Sequence, residues 1–209
     1  MIHTGKEGLE GITTPSQTLS FTRRQNIFRS GDPAYSVFRV RKGLVRMTKM
    51  TPEGRTLTIR HLEPGDFFGA EALSGESHPD LAEALTSAQI EALDPKLING
   101  EDLMLVTRSL SSQMKRLMDY EYHLQTGDIR ERVARYLLQL AGTALAITNE
   151  QGQIMILTTH ELLAEGTAST RESVSKIVAE LRDEGLIESG YRNIILRDKE
   201  ALEAIAEGF

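Results

Sequence analysis

The fold is decided by residues 157–196, which read LTTHELLAEGTASTRESVSKIVAELRDEGLIESGYRNIIL. On a helical wheel, residues 170–181 have apolar side chains on one arc and polar side chains on the opposite arc. The apolar arc holds Val174, Ile177, Val178 and Leu181, and the polar arc holds Arg171, Glu172, Ser175 and Lys176. This pattern predicts a helix with one buried side and one hydrogen-bonding side.

The residues on either side of this helix predict a larger unit. Residues 159–165 form a short predicted helix, and the small residues Gly166, Thr167 and Ala168 join it to the next one. Two helices joined by a tight turn are typical of a helix-turn-helix. The segments 186–189 and 193–196 flank a Gly-Tyr turn and predict a hairpin, which makes the unit winged.

The polar arc carries side chains that can read DNA bases. An arginine can donate two hydrogen bonds to guanine, a glutamate can accept one from cytosine, and a lysine can reach guanine or phosphate. Ser169, Thr170 and the free N–H groups at the helix start suit a phosphate oxygen.

A purely structural interpretation of the same residues exists. Glu172 and Lys176 lie four residues apart and could form a surface pair worth about 0.2–0.5 kcal/mol. Ser169 and Glu172 also fit a capping box. The preceding helix, the turn and the hairpin favour DNA binding over this interpretation.

The composition excludes several functions. The chain has 209 residues and no cysteine, so disulfides, thiolate metal sites and cysteine nucleophiles are excluded. Its net charge is −6, from 24 basic and 30 acidic residues, which argues only weakly against a local DNA-binding face. Residues 1–17 read as a loose arm without a signal peptide, and no stretch is apolar enough to span a membrane. We therefore expect a cytoplasmic protein.

The sequence pattern of residues 18–98 is typical of a β domain. Short apolar runs at 36–40, 44–50 and 56–62 alternate with turn signals rich in Gly, Pro and Asp. Several short strands at this spacing predict a compact β-roll or barrel.

Residues 101–125 contain neither Gly nor Pro and carry a heptad-like apolar stripe. The stripe consists of Leu103, Val106, Leu110, Met114, Leu117 and Leu124. A core helix packed on its own β-roll would show the same stripe. Because helix-turn-helix proteins commonly dimerise to span two half-sites, we expect this stripe to form a dimer interface. Met104, Met114 and Met118 are expected to fill gaps in a core.

The remaining segments complete an α+β plan. Residues 126–128 interrupt the helical pattern and mark a domain boundary. Further helices are predicted at 129–141 and 200–206, with a strand at 154–157. The plan is thus an arm (1–17), a β-roll effector-like domain (18–100), a dimerisation helix (101–126) and a winged helix-turn-helix DNA-binding domain (127–209).

This order of elements resembles the CRP/FNR family of bacterial transcription factors, named after the cyclic-AMP receptor protein and the fumarate–nitrate regulator. The resemblance extends from about Ser20 to Leu196. It rests on the motifs Gly31-Asp32-Pro33-Ala34, Lys42-Gly43-Leu44-Val45-Arg46, Leu57-Thr58-Ile59-Arg60, Pro64-Gly65-Asp66-Phe67-Phe68-Gly69, Arg132-Val133-Ala134 and Thr170-Arg171-Glu172-Ser173-Val174-Ser175-Lys176.

The resemblance implies roles for individual residues. Arg171, Glu172 and Lys176 match the three positions with which the family reads base edges. Thr159 and Thr170 match phosphate-contacting positions, and His160 lies beside Thr159. On chemical grounds we add two further phosphate candidates, Ser169 and Arg192; for Arg192 a solvated role is the alternative.

The chain departs from the family pattern at two places. The turn between the two helices carries Ala168 where the family usually has glycine, so the turn could be slightly reshaped. In the effector region, Asp80 and Leu81 stand where cyclic-AMP-binding relatives have an Arg-Ser pair, and a carboxylate there would repel a phosphate. Leu117 and Met118 stand where the receptor offers Thr-Ser to adenine.

We therefore expect no cyclic-AMP binding and no cofactor. The absence of cysteine excludes a thiolate-held cluster, and the five histidines lack ligand spacing; a lone His61 as a haem ligand is the weaker interpretation. The pattern is similar to stress-response members of the family that need no nucleotide.

Two functions remain. The first is a homodimeric regulator of transcription, an activator that binds double-stranded palindromic DNA and contacts RNA polymerase. The second is a small-molecule-sensing module whose C-terminal unit binds protein. An enzyme is disfavoured, because no P-loop, metal-ligand spacing or GxSxG motif is present.

Overall fold

The computed structural model describes residues 16–208, which divide into two compact units. The first unit ends at Leu117, and the second begins at Met118 and also includes Met50–Thr58. The strands that lie wholly or mostly in the first unit are β1 (Ser16–Phe21), β2 (Asn26–Phe28), β3 (Val37–Lys42), β4 (Val45–Met50), β5 (Thr56–Leu62), β6 (Phe67–Phe68), β7 (Leu81–Ala84) and β8 (Ala88–Leu93).

These strands form two four-stranded sheets, in the orders β1-β8-β3-β6 and β2-β7-β4-β5. The pairings of β1, β3 and β4 are antiparallel, as in a roll. Strand β1 corrects the predicted arm, because Ser16 and Gln17 pair with Leu93 and Ala92 of β8. The rest of the predicted arm lies outside the described residues.

The core of the roll is aromatic and aliphatic and draws on both sheets. Phe38 and Phe68 are almost fully buried, and their ring centroids lie 5.2 Å apart. Phe28 packs against both rings.

Helix α1 (Gly100–Thr126) begins on the roll and is anchored to it by polar side chains. Ser109 Oγ accepts the Phe67 N–H at 2.8 Å, and Gln113 Nε2 donates to the Phe67 carbonyl at 2.7 Å. Arg116 Nη2 lies 2.6 Å from Asp66 Oδ2. These contacts orient one side of α1 towards its own roll.

The predicted dimer stripe is therefore only partly free. Val106 is 2% exposed in a cluster with Ala34, Val37 and Phe67, so the expectation that Val106 contacts a second protomer is wrong. Leu110 is half-buried against the same cluster. Physically, the stripe straddles two neighbouring faces of the helix, and the roll covers one of them.

The other face of α1 is apolar and exposed. Leu103 and Met114 of the predicted interface are 49% and 58% exposed, whereas Leu117 and Leu124 are half-buried. Met104, Met114 and Met118, which are expected to fill gaps in a core, are each more than half exposed within this chain, so its own core does not hold them.

The second unit has four further helices and a small sheet. The helices are α2 (Ile129–Ala141), α3 (His160–Gly166), α4 (Arg171–Asp183) and α5 (Lys199–Glu207). Strands β9 (Ala146–Thr148), β10 (Ile154–Ile156), β11 (Ile187–Gly190) and β12 (Asn193–Leu196) form a sheet in the order β11-β12-β10-β9. The predicted α+β fold, with a β-roll, a long helix and a winged helix-turn-helix, is confirmed.

Helix α2 starts with a complete capping box, in which Asp128 accepts the Glu131 N–H and Glu131 accepts the Asp128 N–H. The sequence predicts a break in the helical pattern at this point, and the capping box accounts for the start of a new helix there. The two compact units divide earlier, between Leu117 and Met118. None of the helices found in residues 16–208 combines the length and hydropathy that crossing a bilayer requires.

Helices α2 and α3 are in close contact at Gly166. A Cβ atom added to Gly166 would lie 2.0 Å from Tyr136 Cζ, and Tyr136 is 3% exposed, so the ring has little room to move. The glycine is required here by space rather than by backbone conformation.

We predict that Gly166→Ala lowers the free energy of unfolding by about 2–3 kcal/mol, because the methyl group overpacks a rigid contact. Gly142→Ala is the matched control: its φ is −86° and its added Cβ would meet only an ordinary 3.5 Å contact. Urea unfolding followed by circular dichroism measures both. Equal effects of the two substitutions would contradict the packing argument.

Buried His61 on β5 makes the stability of the roll depend on pH. Burial, assisted by the nearby Arg46, lowers the pKa of His61 from 6.5 to about 4. Arg46 is itself buried and ion-paired with Glu83 at 2.9 Å. His61 is therefore neutral in the folded protein at pH values where it is charged in the unfolded chain.

We predict that, because of His61, the free energy of unfolding falls by about 2 kcal/mol as the pH is lowered from about 7 to about 5. The sign follows because the unfolded chain takes up a proton below its pKa, whereas the folded protein does so only near the lowered value. Urea unfolding of the wild type and of His61→Gln at both pH values tests this. If the substitution leaves the pH dependence unchanged, another group is responsible.

Candidate nucleic-acid interface

Helix α4 presents the predicted polar face to solvent. Val174, Ile177, Val178 and Leu181 are buried, as the helical wheel predicts, while Arg171, Glu172 and Lys176 are exposed. The helix starts at Thr170, whose side chain accepts the Ser173 N–H at 3.2 Å. The structure thus brings the three predicted base-reading side chains together on the exposed side.

The two structural roles that the sequence offered for Glu172, a capping box with Ser169 and a pair with Lys176, are not found. The predicted capping box between Ser169 and Glu172 is wrong, because Thr170 is the capping residue. Lys176 lies 3.9 Å from Glu180 rather than pairing with Glu172. Since the Lys176 side chain is 79% exposed, this pair contributes little and opens readily.

Helix α3 starts in the same manner. Thr159 accepts the Leu162 N–H at 3.1 Å, so the oxygen atoms of Thr159 and Thr170 both act as caps. A hydroxyl that accepts a backbone N–H still carries a hydrogen. Thr170 Oγ1 donates that hydrogen to Ser173 Oγ, and the two oxygen atoms lie 3.0 Å apart.

The turn between α3 and α4 takes the conformation that glycine usually provides. Ala168 has φ of +50°, and the Ser169 N–H donates to the Ala164 carbonyl at 3.0 Å. Ser169 Oγ donates to the Thr167 carbonyl at 3.1 Å. The departure at Ala168 therefore leaves a tight turn intact, and Ser169 would have to give up a hydrogen bond to donate to a phosphate.

His160 connects the two helices. Its Nδ1 lies 2.8 Å from Ser175 Oγ, and Ser175 Oγ donates to the Arg171 carbonyl at 2.8 Å. Burial, assisted by the positive charge of Arg171, lowers the pKa of His160 below its usual value. The ring is half-buried at the edge of the exposed face of α4.

The hairpin of β11 and β12 carries Tyr191 and Arg192 in its two-residue turn. Tyr191 is 87% exposed, and the Arg192 guanidinium lies 5.8 Å from the centre of its ring. Arg192 has φ of +59°, and Asn193 Nδ2 stabilises the turn by donating to the Tyr191 carbonyl at 3.1 Å. The predicted phosphate candidate is thus at the tip of the wing.

Two contacts that support the interface are missed by sequence reasoning. Tyr120, near the end of α1, donates its hydroxyl to the Gly166 carbonyl at 2.7 Å, and burial raises its pKa to about 12. The helical wheel places Ser175 on the polar arc without a role, although it holds His160. In both cases the partner is distant in the sequence, so no local pattern could have shown the contact.

Comparison with known proteins identifies both parts of the chain. Residues 131–205 match the Crp-like helix-turn-helix domain, and residues 18–99 match the cyclic nucleotide-binding domain. The chain is 48% identical over 183 residues to the transcriptional regulator LdrP of Thermus thermophilus, covering 88% of this chain and 93% of LdrP. It is 37% identical over 198 residues to the transcriptional regulator SdrP of the same species, covering 94% and 97% of the two chains.

A solved structure is similar over almost the whole chain. The crystal structure of TTHB099, a CRP-family transcriptional regulator from Thermus thermophilus, has a TM-score of 0.87 and 46% identity. The match covers 90% of this chain and 96% of that one. The proteins so matched are regulators of transcription rather than enzymes. With its helix-turn-helix exposing Arg171, Glu172 and Lys176, this chain belongs to the CRP/FNR family and is a DNA-binding transcriptional regulator.

Proposed function

We propose that the protein is a homodimeric activator that reads a palindromic promoter site with Arg171, Glu172 and Lys176 and needs no cyclic AMP. The observation that carries this proposal is the exposed polar face of α4, on a helix whose opposite face is fully packed. A rigid support is what allows a few side chains to select bases.

Each of the three side chains has a distinct chemical task. Arg171 is placed in the first turn of α4, where the N-terminal residues of a recognition helix contact base edges. It can donate two hydrogen bonds to one guanine, and Glu172 can accept from a cytosine amino group. Lys176, one turn further on, can reach guanine or a phosphate after it leaves Glu180.

Phosphate contacts would fix the orientation of α4. We assign Thr159, His160, Ser169, Thr170 and Arg192 to this task. The N-terminal ends of α3 and α4 add free backbone N–H groups, to which a phosphate oxygen is attracted. The wing tip adds an exposed cation at Arg192.

The dimer is supported by the exposed apolar face of α1. Leu103, Met114 and Met118 lie within about 60° of one another around the helix, at about 100° per residue. An exposed apolar face of this kind marks an interaction site in a soluble protein. A second α1 covering it would give a dimer with two copies of α4, as is needed to bind two half-sites about 34 Å apart.

Independence from cyclic AMP is supported by the effector region of the roll. His78 stacks on Phe28 with ring centroids 3.6 Å apart, and His78 is 3% exposed. By the family resemblance, Asp80, two residues later, stands where cyclic-AMP-binding relatives have an arginine, and its carboxylate would repel a cyclic phosphate. Activation through contact with RNA polymerase is proposed on the family resemblance.

We predict that Arg171→Ala weakens binding to the preferred DNA site by about 1–3 kcal/mol and relaxes the base preference at one position of each half-site. Arg182→Ala is the matched control, since it removes the same charge from the last turn of α4, where Arg182 contacts Asp183. Selection from random duplex DNA without any nucleotide, followed by affinity measurements, provides the test. Equal behaviour of the two variants, or a need for cyclic AMP, would contradict the proposal.

We predict that Met114→Glu raises the dissociation constant of the dimer at least about tenfold, because a carboxylate would be buried without a partner. Lys115→Glu, a change to the same residue at the adjacent exposed position, is the control and should have a smaller effect. Sedimentation equilibrium measures both. A monomeric wild type, or equal effects, would show that this face is not the interface.

A further inference from the structure

The hydrogen bonds around His160 determine which of its ring nitrogens carries a hydrogen. Ser175 Oγ lies 2.8 Å from His160 Nδ1 and 2.8 Å from the Arg171 carbonyl oxygen. A serine hydroxyl has a single hydrogen, and a carbonyl oxygen can only accept. Both short contacts are satisfied only if Ser175 donates to Arg171 and His160 Nδ1–H donates to Ser175.

This arrangement has a consequence for the other ring nitrogen. A neutral imidazole with its hydrogen on Nδ1 has a lone pair on Nε2, and a lone pair repels a phosphate oxygen. Nε2 can donate a hydrogen bond to phosphate only after the ring has taken up a second proton. Ser175 thereby excludes the neutral tautomer that could bind phosphate directly.

We propose that His160 takes up one proton when it binds a DNA phosphate and that Ser175 enforces this coupling, so that DNA affinity falls as pH rises. The inference rests on the proposed DNA contact of His160 and adds a regulation of that contact by pH. Ser175 acts as a positioning residue, because it touches the ring and not the DNA.

The charges around the ring favour the neutral form in the free protein. Arg171, on the facing helix α4, acts on the ring and disfavours a second positive charge. Glu161, next to it on α3, and Lys176, next to Ser175 on α4, are exposed, and Lys176 lies near Glu180. A bound phosphate would reverse this balance, because an opposite charge at close range favours the charged ring.

The sign of the effect follows from linkage. The pKa of His160 is lowered in the free protein and would be raised by a phosphate in the complex. Below the first value both states are charged, and above the second both are neutral, so affinity changes only between them. Within this window the affinity falls by up to about tenfold per pH unit for each half-site.

The test measures the affinity of the full-length protein for its preferred duplex from about pH 6 to about pH 8, at constant ionic strength. We expect a loss of about tenfold per half-site for the wild type. His160→Gln should bind with little pH dependence, because a neutral amide can donate at every pH. Ser175→Ala should also lose most of the dependence, because the ring is then free to carry its hydrogen on Nε2.

A second measurement is independent of DNA. Nitrogen-15 NMR of the histidine rings, assigned by comparison with His160→Gln, should show the hydrogen of neutral His160 on Nδ1 in the wild type and on Nε2 in Ser175→Ala. A hydrogen on Nε2 in the free wild type would overturn the inference. So would an unchanged pH dependence in either variant. Failure of the wild type to bind any DNA would instead refute the proposed function.

Discussion

The close contact between Gly166 and Tyr136 is the constraint on which the DNA-binding half depends. Because Gly166 has no side chain, the end of α3 can lie against the buried Tyr136 ring, and its carbonyl receives the Tyr120 hydroxyl. The chain then turns through Ala168 in a left-handed conformation and starts α4 at Thr170. The direction of α4 is therefore set by packing behind the turn rather than by the residues it exposes.

Helix α1 shows why a sequence pattern finds a helix more reliably than it finds the partner of that helix. Spacings of three and four residues predict the helix correctly, but residues three apart differ by only about 60° around the axis. Leu103 and Val106 therefore fit one stripe, although Leu103 is exposed and Val106 is buried under the roll. The polar anchors Ser109 and Gln113 decide which face turns inwards, and their partner Phe67 lies more than 40 residues earlier.

In the interface, too, the features set by local pattern could be predicted and those set by distant contacts could not. The exposure of Arg171, Glu172 and Lys176 and the turn signals of the roll follow from local periodicity and could be predicted from the sequence. The choice of Thr170 over Ser169 as the cap could not be predicted, because both residue types cap helices and serine is on average the slightly better cap. Ser175 and His160 are 15 residues apart, and only the packing of α3 on α4 brings them together.

The acidic character of the chain gives these local contacts their importance. With a net charge of −6, long-range attraction to DNA is weak, so binding has to come from groups that touch it. A permanent cation at position 160 would lie beside Arg171 and repel it in the free protein. A histidine held neutral by burial and by Arg171 avoids that repulsion. If His160 becomes positively charged only when a phosphate binds, the charges of His160 and Arg171 coexist only when the anion that stabilises both is present.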